Sequence, residues 1–412
     1  MKQNLLHTPE GVRDIYNTEC LKKKVIADKM KKVIDLYGYE GIETPTFEFF
    51  DIFDSDKGSV ETKELFKFFD RDGNILVLRP DMTPSIARCA VKYYSEQDMP
   101  LRLSYLGNTF INNLNYQGRL KETTQIGAEL IGDDSANADA EIIAIVINIL
   151  LENGIKEFQV DIGQVDFFKG LVKEAGLDLE TAEELRKLIQ EKNYFGVEEL
   201  LNTSNCEDDV KDVFLRLPQL FGSYEILDEA KTLAKNDMSK KAVERLFELS
   251  EILKEYGLLD YVSFDFGMLS RYEYYTGIIF NAYTYGTGDS IIKGGRYDKL
   301  LAQFGKDIPS VGFAVTVDQV LLALSRQKID IELPNNTKVV VYDKKFEKEA
   351  IKLSAKLRSE DIKVKLMMLS DNRNVEYYKE YCKNFNINQM IYIEETEKIT
   401  TFDIDVAKEE AR

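Results

Sequence analysis

The run Leu78-Arg79-Pro80-Asp81-Met82-Thr83-Pro84 puts a strand exit, a cation, a carboxylate and a hydroxyl within seven residues. Alone it is only a strand end, and its chemistry depends on what else the chain brings to it. Other kinds of chemistry are narrowly bounded. The chain has one histidine, His7, so a Ser/His or Cys/His pair or a two-histidine metal site would have to be built around that residue. Cys20, Cys89, Cys206 and Cys382 form no Cys-x-x-Cys pair and read as buried small hydrophobes, not as a disulfide framework or a zinc site. Gly286-Thr287-Gly288 lacks the third glycine of a dinucleotide fingerprint and reads as a hairpin turn. Gly132-Asp133-Asp134 offers two carboxylates, better placed to cap a helix beginning near Ala138 than to hold a metal. Neither a cofactor nor a metal is expected.

The elements that must position these residues follow from periodicity. Residues 18–37 place Leu21, Val25, Val33, Ile34 and Tyr37 on one helical face with lysines opposite, and Gly38 supplies a stop. Strand-like runs follow at Ile75 to Leu78, Leu101 to Leu106 and Gln125 to Ile131, which suggests a largely antiparallel sheet. Residues 171–257 are rich in Leu, Glu and Lys at helical spacing and read as a helical insertion. Strand patterns return at Tyr261 to Phe266, Gly277 to Tyr283 and Ser290 to Lys293, with a helix from Val317 to Leu324. Pro334-Asn335-Asn336 reads as part of a linker. Beyond it, Lys338 to Tyr342, Val364 to Met368 and Gln389 to Ile393 alternate with helical runs in β-α-β-α-β order, which implies a small parallel α/β domain.

At 412 residues, 44% hydrophobic and 31% charged, the chain can bury two to three cores. Its formal charge of -18 disfavours nucleic acid as a partner unless basic residues gather locally. The longest apolar stretch, near Ile142 to Leu151, is broken by Asn148 and falls far short of the ~20 residues that cross a bilayer. No membrane association is expected. The N-terminal residues carry no apolar core of a secretion signal, so a cytoplasmic location is expected.

Taken together, several motifs carry a resemblance. They are Thr8-Pro9-Glu10-Gly11-Val12-Arg13-Asp14, the run from Leu78 to Pro84, Tyr105-Leu106-Gly107-Asn108-Thr109-Phe110, Gly118-Arg119-Leu120-Lys121-Glu122 and Gln125-Ile126-Gly127-Ala128-Glu129. Later come Tyr274-Tyr275-Thr276-Gly277-Ile278-Ile279-Phe280, then Gly294-Gly295-Arg296-Tyr297-Asp298 leading to Val311-Gly312-Phe313-Ala314. In order and spacing they resemble the class II aminoacyl-tRNA synthetase core of the histidyl type. That likeness implies an α+β fold over residues 1–325, with an antiparallel sheet, flanking helices and an insertion at about 171–257. A linker at 326–336 and a small α/β domain at 337–412, similar to an anticodon-binding domain, complete it. Asn336 to Arg412 hold 15 Lys plus Arg and 15 Asp plus Glu, hence no basic excess for reading RNA.

The resemblance also implies roles for residues. Asp81, Thr83, Gln125, Glu129, Tyr275 and Tyr297 match a histidine-binding pocket, and carboxylates set among aromatics suit an ammonium and an imidazole. The arginines that grip ATP in the histidyl enzymes fall on Ile111, Ser270 and Gln319, with Arg271 one place beyond Ser270. Adenylate formation depends on such guanidinium forks. No catalytic residue is therefore expected. A synthetase-like core with this pocket and without those arginines resembles the regulatory subunits of ATP phosphoribosyltransferase. In that family the subunit pairs with a short-form catalytic chain, is required for its activity in the first step of histidine biosynthesis, and takes part in feedback inhibition by histidine. A homodimer within a larger hetero-oligomer is implied as well. The alternatives are an active histidine-tRNA ligase and a pseudo-synthetase module that senses tRNA.

Overall fold

In the computed structural model the described residues are 6–54, 60–113, 120–204, 206–269, 275–334, 336–370, 372–395 and 398–405. They fall into two compact units divided between Asp330 and Ile331.

The first unit is built on a nine-stranded sheet. Its strands are β1 (Glu40–Gly41), β5 (Leu101–Phe110), β6 (Glu122–Ile131), β7 (Phe158–Gln164), β8 (Phe221–Gly222), β9 (Val262–Asp265), β10 (Ile278–Thr284), β11 (Ile292–Arg296) and β12 (Ser310–Thr316). The order across the sheet is β1-β5-β6-β12-β11-β10-β7-β9-β8. The pairs β1/β5 and β7/β9 are parallel and the rest antiparallel. A separate antiparallel sheet joins β2 (Phe47–Phe49), β3 (Lys67–Phe69) and β4 (Ile75–Leu78) in the order β2-β4-β3.

Around these lie α1 (Asn17–Leu36), α2 (Thr83–Tyr93), α3 (Ala136–Glu152) and α10 (Val317–Arg326), with α4 (Val165–Ala175), α5 (Leu179–Gln190), α6 (Tyr194–Thr203), α7 (Asp208–Arg216), α8 (Ile226–Leu233) and α9 (Asp237–Glu255) between β7 and β9. Helix α1 buries Ile26, Met30, Val33 and Ile34, the four-apart and seven-apart set of an amphipathic stripe, and Gly38 ends it with φ +80°. Helix α3 is apolar nearly all round because it is covered on several sides: it packs on β6, β11 and β12 and lies against α1 and α9. Each of its fully buried isoleucines, such as Ile142 and Ile145, contributes about 1.5–3 kcal/mol.

The second unit orders its strands β14-β13-β15-β16, from β13 (Thr337–Tyr342), β14 (Lys363–Met368), β15 (Gln389–Glu395) and β16 (Lys398–Asp403), with helices α11 (Glu347–Ser359) and α12 (Val375–Asn384). Alternation along β13 sends Val339 and Val341 toward Tyr378 and Cys382 of α12, and Val340 and Tyr342 toward Ala350 and Leu357 of α11. The three expected strands pair in parallel, and a fourth that was not expected, β16, runs antiparallel to β15. Its run Lys398-Ile399-Thr400-Thr401-Phe402-Asp403 is mostly exposed and polar, as an edge strand can be, so it carries little strand signal.

Two further expectations change. Cys206 and Cys382 are buried and Cys89 half-buried, but Cys20 is exposed on the outward face of α1. The cap of α3 is Ser135, whose hydroxyl accepts from the Ala138 amide at 3.2 Å, while Asp133 accepts from the Ser135 amide at 2.8 Å.

Candidate functional site

The register of three adjacent strands decides which side chains share a face. Gln125 of β6 stands opposite Gly107 of β5 and Thr316 of β12, and Glu129 stands opposite Leu103 and Gly312. Even steps along β6 therefore align Gln125, Gly127 and Glu129 on one face, with Tyr105, Gly107 and Thr109 beside them, while Ile126, Ala128 and Leu130 turn to the face that carries α3. Gly312 is required by close approach. A Cβ built there would lie 1.7 Å from Glu129 Oε2, so the carboxylate occupies the space a side chain would fill.

Glu129 is the hub. It is 1% exposed, and its Oε1 accepts from the Thr83 hydroxyl at 2.7 Å. Its Oε2 accepts a short hydrogen bond from the Tyr297 hydroxyl. Burial pushes its carboxyl up to about 8, against the pull of those two hydroxyls, and the charge of Asp81 pushes the same way as burial. Burial, reinforced by Glu129, also raises Tyr105 and Tyr297 well above the ordinary phenol range. Thr83 opens α2, and Asp81 just ahead of it accepts from the Met82 amide at 2.7 Å and more weakly from that of Thr83 at 3.4 Å. Tyr275 packs with Tyr105 and Tyr297, and its carbonyl accepts from Lys169 of α4 at 3.0 Å. Gln125 stands apart from the hydrogen-bonded group on the same face, and its Oε1 is buried with no hydrogen-bond partner among the described residues. A sealed, unmatched acceptor is uncommon in folded chains and asks for a donor from a ligand or water.

Thr83, Glu129 and Tyr297 are thus directly joined, with Asp81 and Tyr275 at the same pocket and Gln125 further along its floor. Tyr105 was not singled out from the sequence, although its hydroxyl reaches the Phe313 carbonyl at 3.3 Å across the floor. The parity that reveals it needs the strand register. Arg296 and Asp139 are a second omission. Arg296 turns from β11 toward α3 and binds buried Asp139 at 2.6 Å, and Arg245 of α9 meets the same carboxylate at 2.7 Å. The next residue, Tyr297, turns the opposite way into the pocket, so this ion pair anchors the main chain that presents it.

The positions that the resemblance assigns to lost arginines lie toward the other end of these strands. Ile111 continues the β5/β6 ladder, its amide donating to the Lys121 carbonyl at 2.9 Å, and it presents an apolar side chain. Gln319 lies in the first turn of α10. Beside it Asp318 accepts from the Thr124 amide at 2.8 Å and from Lys23 of α1 at 2.7 Å. Ser270 and Arg271 lie outside the described residues.

A mixed, mainly antiparallel sheet with a buried Thr83–Glu129–Tyr297 group on the face between β5, β6, β11 and α2 is the arrangement of a class II aminoacyl-tRNA synthetase-like protein, and residues 11–320 match the histidyl-tRNA synthetase family. The ATP phosphoribosyltransferase regulatory subunit of Acetivibrio thermocellus is 43% identical over 361 residues, covering 88% of this chain and 86% of that protein. The one from Ruminiclostridium cellulolyticum is 41% identical over 399 residues, covering 97% and 95%. A crystal structure described as an ATP phosphoribosyltransferase regulatory subunit/histidyl-tRNA synthetase, from Bacillus halodurans C, superposes with a TM-score of 0.84 at 34% identity, covering 94% of this chain and 98% of that one. The chain belongs to the family of ATP phosphoribosyltransferase regulatory subunits.

Proposed function

We propose that this chain is the noncatalytic regulatory subunit of an ATP phosphoribosyltransferase, required by a short-form catalytic subunit in the first step of histidine biosynthesis, and that histidine acts on it as the feedback effector. The observation that carries the reading is a contrast within one site. The Thr83–Glu129–Tyr297 group is hydrogen-bonded together, whereas the resemblance to the histidyl enzymes puts an isoleucine, Ile111, and a glutamine, Gln319, where a synthetase grips phosphate. A buried carboxyl near neutrality beside two tyrosines suits the imidazole, and Asp81 suits the ammonium. Asp81, Thr83, Gln125, Glu129, Tyr275 and Tyr297 are the proposed effector contacts.

The partner is the short catalytic chain, with this subunit a homodimer inside the larger hetero-oligomer. Support for self-association comes from the β2-β4-β3 sheet, where Phe47, Phe49 and Phe68 stand on one face at 52%, 55% and 38% exposure. A net charge of -18 opposes a nucleic-acid role, and a cytoplasmic location fits a biosynthetic complex. No helix among the described residues is long and apolar enough to cross a membrane.

The test is to mix the purified chain with the short-form catalytic subunit from the same source and to assay ATP plus phosphoribosyl pyrophosphate. Co-elution, a gain in activity and its loss on adding histidine are expected; separate elution with no gain refutes the reading. Feedback requires histidine to bind the inhibited complex more tightly than the active one, and equal calorimetric affinities for the two states would remove the effector role.

A further inference from the structure

Arg79 is 6% exposed and forms no ion pair among the described residues. Its Nε donates to the Asn108 carbonyl at 2.8 Å, and its Nη1 to the carbonyls of Thr44 at 2.7 Å and Pro45 at 3.2 Å. Nη2 donates to none of the described residues. The carboxylate whose charge acts on it, Glu48, is already held by Arg88 at 2.6 Å. A largely buried guanidinium with neutral partners on one side and an idle nitrogen reaching outward on the other is completed better by an anion than by water.

The idle nitrogen has a definite place. A Cβ built on Gly107 would stand 2.4 Å from Nη2, so Nη2 lies over that glycine on the pocket face. Gly107 is the cross-strand partner of Gln125, whose sealed Oε1 has no donor among the described residues. One register pair thus presents an unused donor and an unused acceptor. Asp81, two residues after Arg79, adds a carboxylate at the same pocket. A cation, an anion and an amide oxygen are the complementary groups for the two charges of an α-amino acid zwitterion.

We infer that Arg79 grips the carboxylate of the pocket's ligand through Nη2, so that the site selects an intact α-amino acid over its decarboxylated or reduced analogues. This rests on the pocket reading proposed above and assigns a residue to which that reading gives no part. The ammonium is directed to Gln125 Oε1 and Asp81, and the side chain to Glu129 and Tyr297. Gly107 is required because any side chain there would displace the guanidinium.

Calorimetry on the full chain, alone and with its catalytic partner, compares histidine with histamine, which keeps the imidazole and amine but lacks the carboxylate, and with histidinol. The wild type is expected to bind histidine on the order of 10- to 100-fold more tightly than either analogue. Arg79→Gln should bring that ratio to within about 3-fold while leaving histamine affinity nearly unchanged. Because Arg79 also ties three carbonyls together, melting curves accompany it, and Gly107→Ala provides a second variant that displaces Nη2 with the guanidinium still present. Gly107→Ala should shrink the ratio in the same way. Equal binding of histidine and histamine by the wild type overturns the inference, as does an undiminished ratio in a folded variant or an equal loss for both ligands. Those results leave the pocket reading standing, whereas no binding of any of the three ligands overturns both.

Discussion

The two ends of the β5/β6 ribbon share a backbone and differ in chemistry. At one end a buried carboxylate is held by a threonine and a tyrosine from separate elements; at the other, under the proposed function, Ile111 and Gln319 take the places of phosphate-gripping arginines. If that reading holds, recognition of an amino acid and activation of it are separable properties of this sheet.

The largest test of that contrast is enzymatic. Under the proposed function, histidine-dependent exchange of pyrophosphate into ATP by the purified chain should be undetectable, since each donor replaced, at Ile111 and at Gln319, costs on the order of 10² to 10³ in rate. Exchange at an ordinary synthetase rate would erase the distinction between the ends.

A smaller effect probes how the intact end is held. Arg296→Met leaves Asp139 in the core with Arg245 as its remaining ion-pair partner and should cost about 3–5 kcal/mol in denaturant unfolding. A loss below about 1 kcal/mol would show that the pocket does not depend on this anchor. The smallest effect is a slope with pH. With the Glu129 carboxyl raised to about 8, the folded chain keeps a proton that the unfolded chain releases. The associated stabilisation is complete below about pH 4.5 and is lost as pH climbs through about 8. Between pH 6 and 9 the wild type should lose on the order of 1–3 kcal/mol relative to Glu129→Gln. Parallel profiles would mean that Glu129 is ionised throughout.

Sequence periodicity revealed the elements where one rule dominated. Helix α1 and strand β4 were legible from their apolar spacing and their stops, and β13 from its run of valines. Strand β5 was read only to Leu106, because Gly107-Asn108-Thr109 looks like a turn. In the structure Asn108 and Thr109 pair through their side chains with Thr124 and Thr123 of β6, which keeps this polar stretch extended to Phe110. Cross-strand partners of that kind are invisible to a local window. The pocket residues came from resemblance to a family, since nothing local connects Thr83, Glu129 and Tyr297. The Asp139–Arg296 pair, 157 residues apart in sequence, had no signal at all.

The volume of the pocket belongs to its main chain. Glu129 fits only because Gly312 contributes no side chain, so a single added methyl would force the carboxylate from its seat. Under the proposed role, Gly312→Ala is a route to a feedback-resistant complex: the change lies on the floor of the sensor, leaves the catalytic partner's own sequence unaltered, and would let a cell make histidine past the point at which it normally stops.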